Sequence, residues 1–149
     1  MKTDISKELI IKNNLLNYPI KNVSLSSLEL IMYKIKLKLN NIDFKEADEI
    51  EVILKNIKTR DIFIAEHSIE NDFLNINLKS LSFMCTDNEF MLLLIIKKDS
   101  VYSFLNPIIK NSSQNITNNF IVLDLIPIEW YLRILDNGEL RLSTIVKIF

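Results

Sequence analysis

The stretch YKIKLKLN, residues 33–40, constrains the fold more than any other part of the chain. Tyr33, Ile35, Leu37 and Leu39 alternate with Lys34, Lys36 and Lys38. Only an extended strand turns a period of two into one apolar face and one wet face. A helix would scatter the same lysines around its circumference. The lysine face also discourages edge-to-edge pairing with another chain. Its plain reading is a solvated surface; a basic binding ridge is the functional alternative.

Other segments carry the same signal. DFLNINLKS alternates through Leu74, Ile76 and Leu78. In TRDIFIAEH, Ile62 and Ile64 alternate with Phe63 and Ala65, a short strand apolar on both sides. EFMLLLIIKK is apolar nearly throughout, as a strand buried on both faces would be, and LSFMCT reads as its neighbour across a turn at Asp87-Asn88. Gly138 is the only glycine and there are three prolines, so Asn, Asp and Ser must supply most turns.

Some segments read as helical. Asp43 with Glu46 three residues on resembles a capping box. Ala47, Ile50, Ile53, Leu54 and Ile57 follow at helical intervals, with acidic residues at the start and lysines at the end. Residues 1–32 read as a helical or mixed lead-in, with Leu9, Ile10, Asn13 and Leu16 near helical spacing and Ser24, Ser26 and Ser27 as possible caps. Residues 97–119 read as a polar linker rich in Asn and Ser. After Pro127 comes a strand with Ile128, Trp130, Leu132 and Ile134 on one face, then a turn at Asp136-Asn137-Gly138. Leu140, Leu142 and Ile145 then begin what reads as a helix. Strand, turn and helix start is also the order of Tyr33 to Ile57. The expected fold class is α+β, predominantly β: a strand-helix-strands unit over 33–96 and a partial second copy over 120–149.

Little in the chain suggests catalysis. With 149 residues, 48% hydrophobic and 25% charged, it can bury a core of its own. A net charge of −1, with lysines scattered among acids, makes nucleic acid an unexpected partner. The single cysteine, Cys85, reads as a buried thiol in a reducing compartment. The run Phe90 to Ile96 is far short of the ~20 residues of a spanning helix, and the first residues show no apolar leader. A cytoplasmic protein without direct membrane insertion is expected. His67, the only histidine, reads as a surface or capping residue, and one His with one distant Cys leaves no nucleophile–base pair. Zinc-ligand spacing is absent, and one glycine excludes a phosphate-cradling loop. Asp61, Glu66 and Lys97 can be imagined as a metal-dependent nuclease set, but their spacing is no better than chance. No catalytic residue, cofactor or metal is expected, and the chain is read as a non-enzyme.

LKNIKTRDIFIAE resembles the helix-to-strand passage of the SPOA (surface presentation of antigens) domain family, and LIPIEWYLRILDNGELRLSTI resembles the opening of a second SPOA copy in SpaO/YscQ-type proteins. Pro127, Ile128, Trp130, Leu132, Leu140, Leu142 and Ile145 fall on that pattern. Arg60 and Thr144 depart from it, standing where the family has glycine and an acidic residue. The resemblance implies an SPOA-like domain at 33–96 and a partial repeat at 120–149. It implies a non-enzymatic scaffold of the type III secretion sorting platform, the counterpart of the flagellar ring proteins FliM and FliN. Its partners would be another SPOA-containing protein or fragment and the stator or ATPase regulator, in a homo- or hetero-oligomer at the inner membrane. Ile128, Trp130, Leu132, Ile134, Leu140, Leu142 and Ile145 would then form a partner interface. The unfinished repeat has three explanations: another chain completes it, the gene is truncated, or residues 123–149 fold back on the first unit. A small interaction protein, such as a secretion chaperone or toxin immunity protein, is the alternative function.

Overall fold

The structure, a computed structural model, describes residues 11, 19–31, 33–81, 87–110, 120–122 and 128–146. Its strands are β1 (Ile20–Ile31), β2 (Lys34–Leu39), β3 (Glu49–Asn56), β4 (Ile62–Glu70), β5 (Phe73–Asn77), β6 (Asn88–Lys98), β7 (Val101–Ile108), β8 (Phe120–Val122), β9 (Ile128–Ile134) and β10 (Leu140–Val146). Two 3-10 turns, Phe44–Glu46 and Leu78–Leu81, complete the regular elements named here.

The first seven strands close into a barrel in the order β1-β2-β5-β4-β3-β6-β7. Each neighbouring pair is antiparallel except β1 and β7, whose parallel ladder from Ile20–Phe104 to Ser24–Ile108 shuts the ring. β8, β9 and β10 form an antiparallel meander. β10 joins β6 through residues 88–91, on the edge that β7 occupies at 94–98. The Ile109 N–H donates to the Gly138 carbonyl at 2.8 Å, tying the end of β7 to the β9–β10 turn.

Alternation along the strands fills the interior. Ile35 and Leu37 of β2, Leu74 and Ile76 of β5, Val52 and Leu54 of β3, and Leu92 and Leu94 of β6 are all buried in one cluster. Phe90 meets Phe63 edge-on at 5.9 Å and stacks on Trp130 at 6.1 Å. Barrel and meander therefore share a core. A second apolar layer lies on the other face of β3, β4, β6 and β7, where Ile53, Ile62, Leu93, Ile95 and Phe104 are buried with Ile11. That layer explains why β4 and β6 read as apolar on both sides.

The expected α+β class is corrected by this all-strand barrel. The helix expected from Asp43 to Ile57 is a single 3-10 turn followed by β3. The capping signal is real but local: the Lys45 N–H donates to Asp43 Oδ1 at 2.9 Å. Ala47 then returns to extended backbone at φ −75°, ψ 137°. The helical spacing of Ile50, Ile53 and Leu54 comes from two strand faces superposed, Ile50 and Leu54 in the barrel core and Ile53 in the outer layer. Their β-branched neighbours favour the extended choice. The helix expected from Leu140 is β10, with Leu140, Leu142 and Thr144 buried at period two. β1 lies in the segment read as a lead-in and β7 in the segment read as a linker. Neither strand alternates cleanly enough to have been legible: Ser24, Ser26 and Ser27 interrupt β1, and Pro107 lies inside β7.

Candidate functional site

Directly opposed residues of antiparallel strands share a face of the sheet. Across β2, β5 and β4 this gives a row Lys34–Asn77–Glu66 and a row Lys36–Asn75–Ser68. A third row follows, with Phe73 opposite Glu70 and the Lys38 ammonium 4.4 Å from the Phe73 ring centroid. The alternate positions Ile35, Leu37, Leu74 and Ile76 are buried, so these three rows look outward.

The lysine ridge read from the sequence is therefore present, but it is not a free basic plate. Lys36 and Lys38 share the Phe73 ring at 4.3 and 4.4 Å, and Lys34 and Lys79 lie 5.9 and 5.5 Å from the Tyr33 ring. Acids flank the ridge on both sides, Glu29 opposite Lys36 on β1 and Glu66 and Glu70 on β4. At the end of this face, Lys45 hydrogen-bonds and pairs with Asp72 at 2.6 Å, which holds the Asp72 carboxyl below its ordinary value and raises the Lys45 ammonium.

A half-open hollow of about 220 Å³ lies over β4 and β5. Lys34, Glu66, His67, Ser68, Glu70 and Asn75 line it. The Asn75 amide nitrogen is buried and has no hydrogen-bond partner among the described residues. An unmet buried donor costs about 1–3 kcal/mol, and a ligand acceptor would remove that cost. Lys34, Glu66 and Glu70 form no ion pair within 4.0 Å among the described residues. Elsewhere on the surface, Lys45 reaches Asp72 and Lys98 reaches Glu46 at 2.9 Å. The hollow thus gathers opposite charges that do not neutralise one another.

The residues expected to form a partner interface lie elsewhere. Trp130, Leu132, Leu140 and Leu142 are buried in the core cluster, and Ile134 packs against it. Ile145 points to the opposite face and is exposed. Ile128 lies in β9 opposite Val146, and its side chain falls outside the described residues. β10 pairs with β6 of the same chain, which is the folding-back alternative. Pro127 and Cys85 lie outside the described residues. Of the imagined nuclease set, only Glu66 lines the hollow. Asp61 is exposed ahead of β4, and Lys97 lies on β6 opposite Glu49. Among the described residues, no group of three His, Cys, Asp or Glu could hold a metal ion. Asn75, Ser68 and Glu70 were not anticipated. The polar positions of DFLNINLKS marked β5's wet side, but nothing in the sequence placed β4 beside it.

No protein family and no curated protein matches the chain. Its fold is similar to that of solved structures of S. aureus TarS. One, of TarS residues 217–571, gives a TM-score of 0.63 at 10% identity over 88% of this chain and 40% of that one. Another TarS structure gives 0.62 at 10% identity over 85% of this chain and 25% of that one. The chain thus spans less than half of either. This likeness concerns the fold alone. It overturns the expected membership of the SPOA family and the type III secretion scaffold function that followed from it: the strand-helix-strands unit behind that resemblance does not exist, and the similar folds belong to TarS. Among the described residues, no helix is long and apolar enough to cross a membrane.

Proposed function

We propose that this chain is a non-catalytic recognition module that binds a small polar ligand in the hollow over β4 and β5. One observation carries the reading: a concave patch of polar side chains with unused hydrogen-bonding and charge capacity, including the buried donor of Asn75. Native proteins rarely leave such donors unmet. The closed barrel supports a binding role over catalysis, because aliphatic side chains fill its interior and leave recognition to the outer face. The occurrence of a similar fold within longer TarS chains supports an accessory role beside other domains. The single cysteine supports a reducing, cytoplasmic setting.

The test is an amide chemical-shift titration with three separate pools of small solutes: neutral sugars, amino acids and inorganic anions. At least one pool is expected to move the Ser68, Glu70, Asn75 and Asn77 resonances together, including the Asn75 side-chain amide. If these resonances stay still in all three pools at 20 mM, about the weakest affinity a real site of this kind would show, the reading fails.

A further inference from the structure

The composition of the hollow points to a class of ligand, and this step rests on reading the hollow as a binding site. Its lining carries one ammonium, Lys34, and two carboxylates, Glu66 and Glu70. Lys34 and Glu66 stand at opposite ends of one row with Asn77 between them, two strand spacings or roughly 10 Å apart. Lys34 and the Asn75 amide nitrogen can only donate, whereas the two carboxylates can only accept. A simple anion meets Lys34 but is repelled by two carboxylates. A bare diamine meets the carboxylates but leaves Lys34 and Asn75 unmet. Among the described residues, no three His, Cys, Asp or Glu side chains are grouped to hold a metal ion. A neutral sugar would leave three charges uncompensated as it displaced their water.

We infer that the hollow binds a zwitterion of amino-acid size, its carboxylate held by Lys34 and Asn75 and its ammonium by Glu66, with Glu70 two rows further along β4 adding negative charge to that side. The volume of about 220 Å³ is below the ~300–1,000 Å³ of drug-sized pockets, which fits one amino acid and not a peptide. With two carboxylates facing one ammonium, the lining favours an amino acid whose net charge is zero or positive. Ser68 supplies a hydroxyl that can act either way.

The probes are L-lysine, cadaverine, hexanoate and glucose, titrated separately into the full chain while the Ser68, Asn75 and Asn77 resonances are followed. Cadaverine is L-lysine without its carboxylate, and hexanoate carries a carboxylate with no ammonium. L-lysine is expected to bind at least tenfold more tightly than the other three, since each of them forfeits a charge-assisted contact. Lys34→Met and Asn75→Leu, both on the outer face, should each weaken L-lysine about tenfold, and added salt should weaken it further. Equal or tighter binding of hexanoate, cadaverine or glucose overturns the zwitterion assignment and leaves the ligand-site reading standing. Silence from all four probes overturns the assignment too; if the solute pools are also silent, both readings fall. L-lysine binding that Lys34→Met and Asn75→Leu leave unchanged, with melting temperatures intact, likewise overturns it.

Discussion

At the residue scale, the near-absence of glycine has a visible consequence. Asn41, Arg60, Asn71, Asp72, Asp99 and Ser100 all take positive φ, between 50° and 70°. Asn and Asp tolerate this left-handed backbone because their short polar side chains bond locally. The paired positions Asn71-Asp72 and Asp99-Ser100 each close a two-residue hairpin, between β4 and β5 and between β6 and β7. The reliance on Asn, Asp and Ser for turns was legible in the sequence. Arg60, at φ 65°, was not, since a long side chain gives no warning of such a conformation. Arg60→Gly and Ser100→Gly should therefore each stabilise the protein by about 0.5–1 kcal/mol, the relieved strain exceeding the extra entropy of glycine in the unfolded chain. Urea denaturation read at the midpoint would show it, and a lower midpoint for Arg60→Gly would refute the strain argument.

The Lys45–Asp72 pair belongs to the same scale. Asp72 ionises more readily in the folded state than in the unfolded one, because Lys45 hydrogen-bonds it. Its stabilising effect is therefore present above the ordinary carboxylate value of 3.8 and is lost as pH falls through the lower folded value. The raised Lys45 ammonium gives the mirror case, present below 10.5 and lost as pH rises through the higher folded value. Both side chains are exposed, so the effect is small. The melting temperatures of the wild type and Lys45→Met should differ by a constant small amount between pH 5 and 8. That gap should close below pH 3.8. A gap that persisted in acid would mean that Lys45 acts through packing and not through charge.

At the scale of elements, Gly138 decides how the meander meets the barrel. It sits at φ 89° in the β9–β10 turn, and a Cβ there would lie 2.2 Å from the Ile109 carbonyl oxygen. Because that neighbour is backbone, no rotamer change can relieve the clash. Gly138→Ala should cost about 2–4 kcal/mol, combining left-handed strain with overpacking. Asn137→Ala, one residue earlier, should cost far less, since it loses only the acceptor for the Glu139 N–H at 3.1 Å. Similar losses for the two variants would show that the turn, and not its contact with β7, matters. The turn itself was readable from Asp136-Asn137-Gly138. The seat of Gly138 against Ile109 was not, because no local pattern reports which strand a turn will touch. The same limit applies to the candidate site. The wet face of β2 could be read directly, yet the hollow needs β5 and β4 beside it in register, and strand order is a property of the closed sheet.

At the scale of the whole molecule, the decisive question is whether the meander is a separate unit or part of the barrel's core. Trp130 is completely buried, stacks on Phe90 of β6, and belongs to the same core cluster as Leu142, which is also completely buried. The Asn88 N–H donates to Thr144 Oγ1 at 3.1 Å, and Arg133 pairs with Glu89 across the same seam. Phe90 in turn packs edge-on against Phe63 of the barrel. A meander sharing aromatic stacking, backbone ladder and polar stitches with β6 cannot lose its structure without exposing the barrel's own interior. Unfolding should therefore be one cooperative transition. Fluorescence of Trp130, the only tryptophan, reports the meander, and far-ultraviolet circular dichroism reports the barrel strands as well. The two probes should give coincident urea curves. Leu142→Ala removes a fully buried side chain from the seam and should cost about 2–5 kcal/mol. That loss should shift both curves together. Were the Trp130 signal to melt first while the dichroism held, the meander would be an independently folding unit, and the shared core would not be what holds it in place.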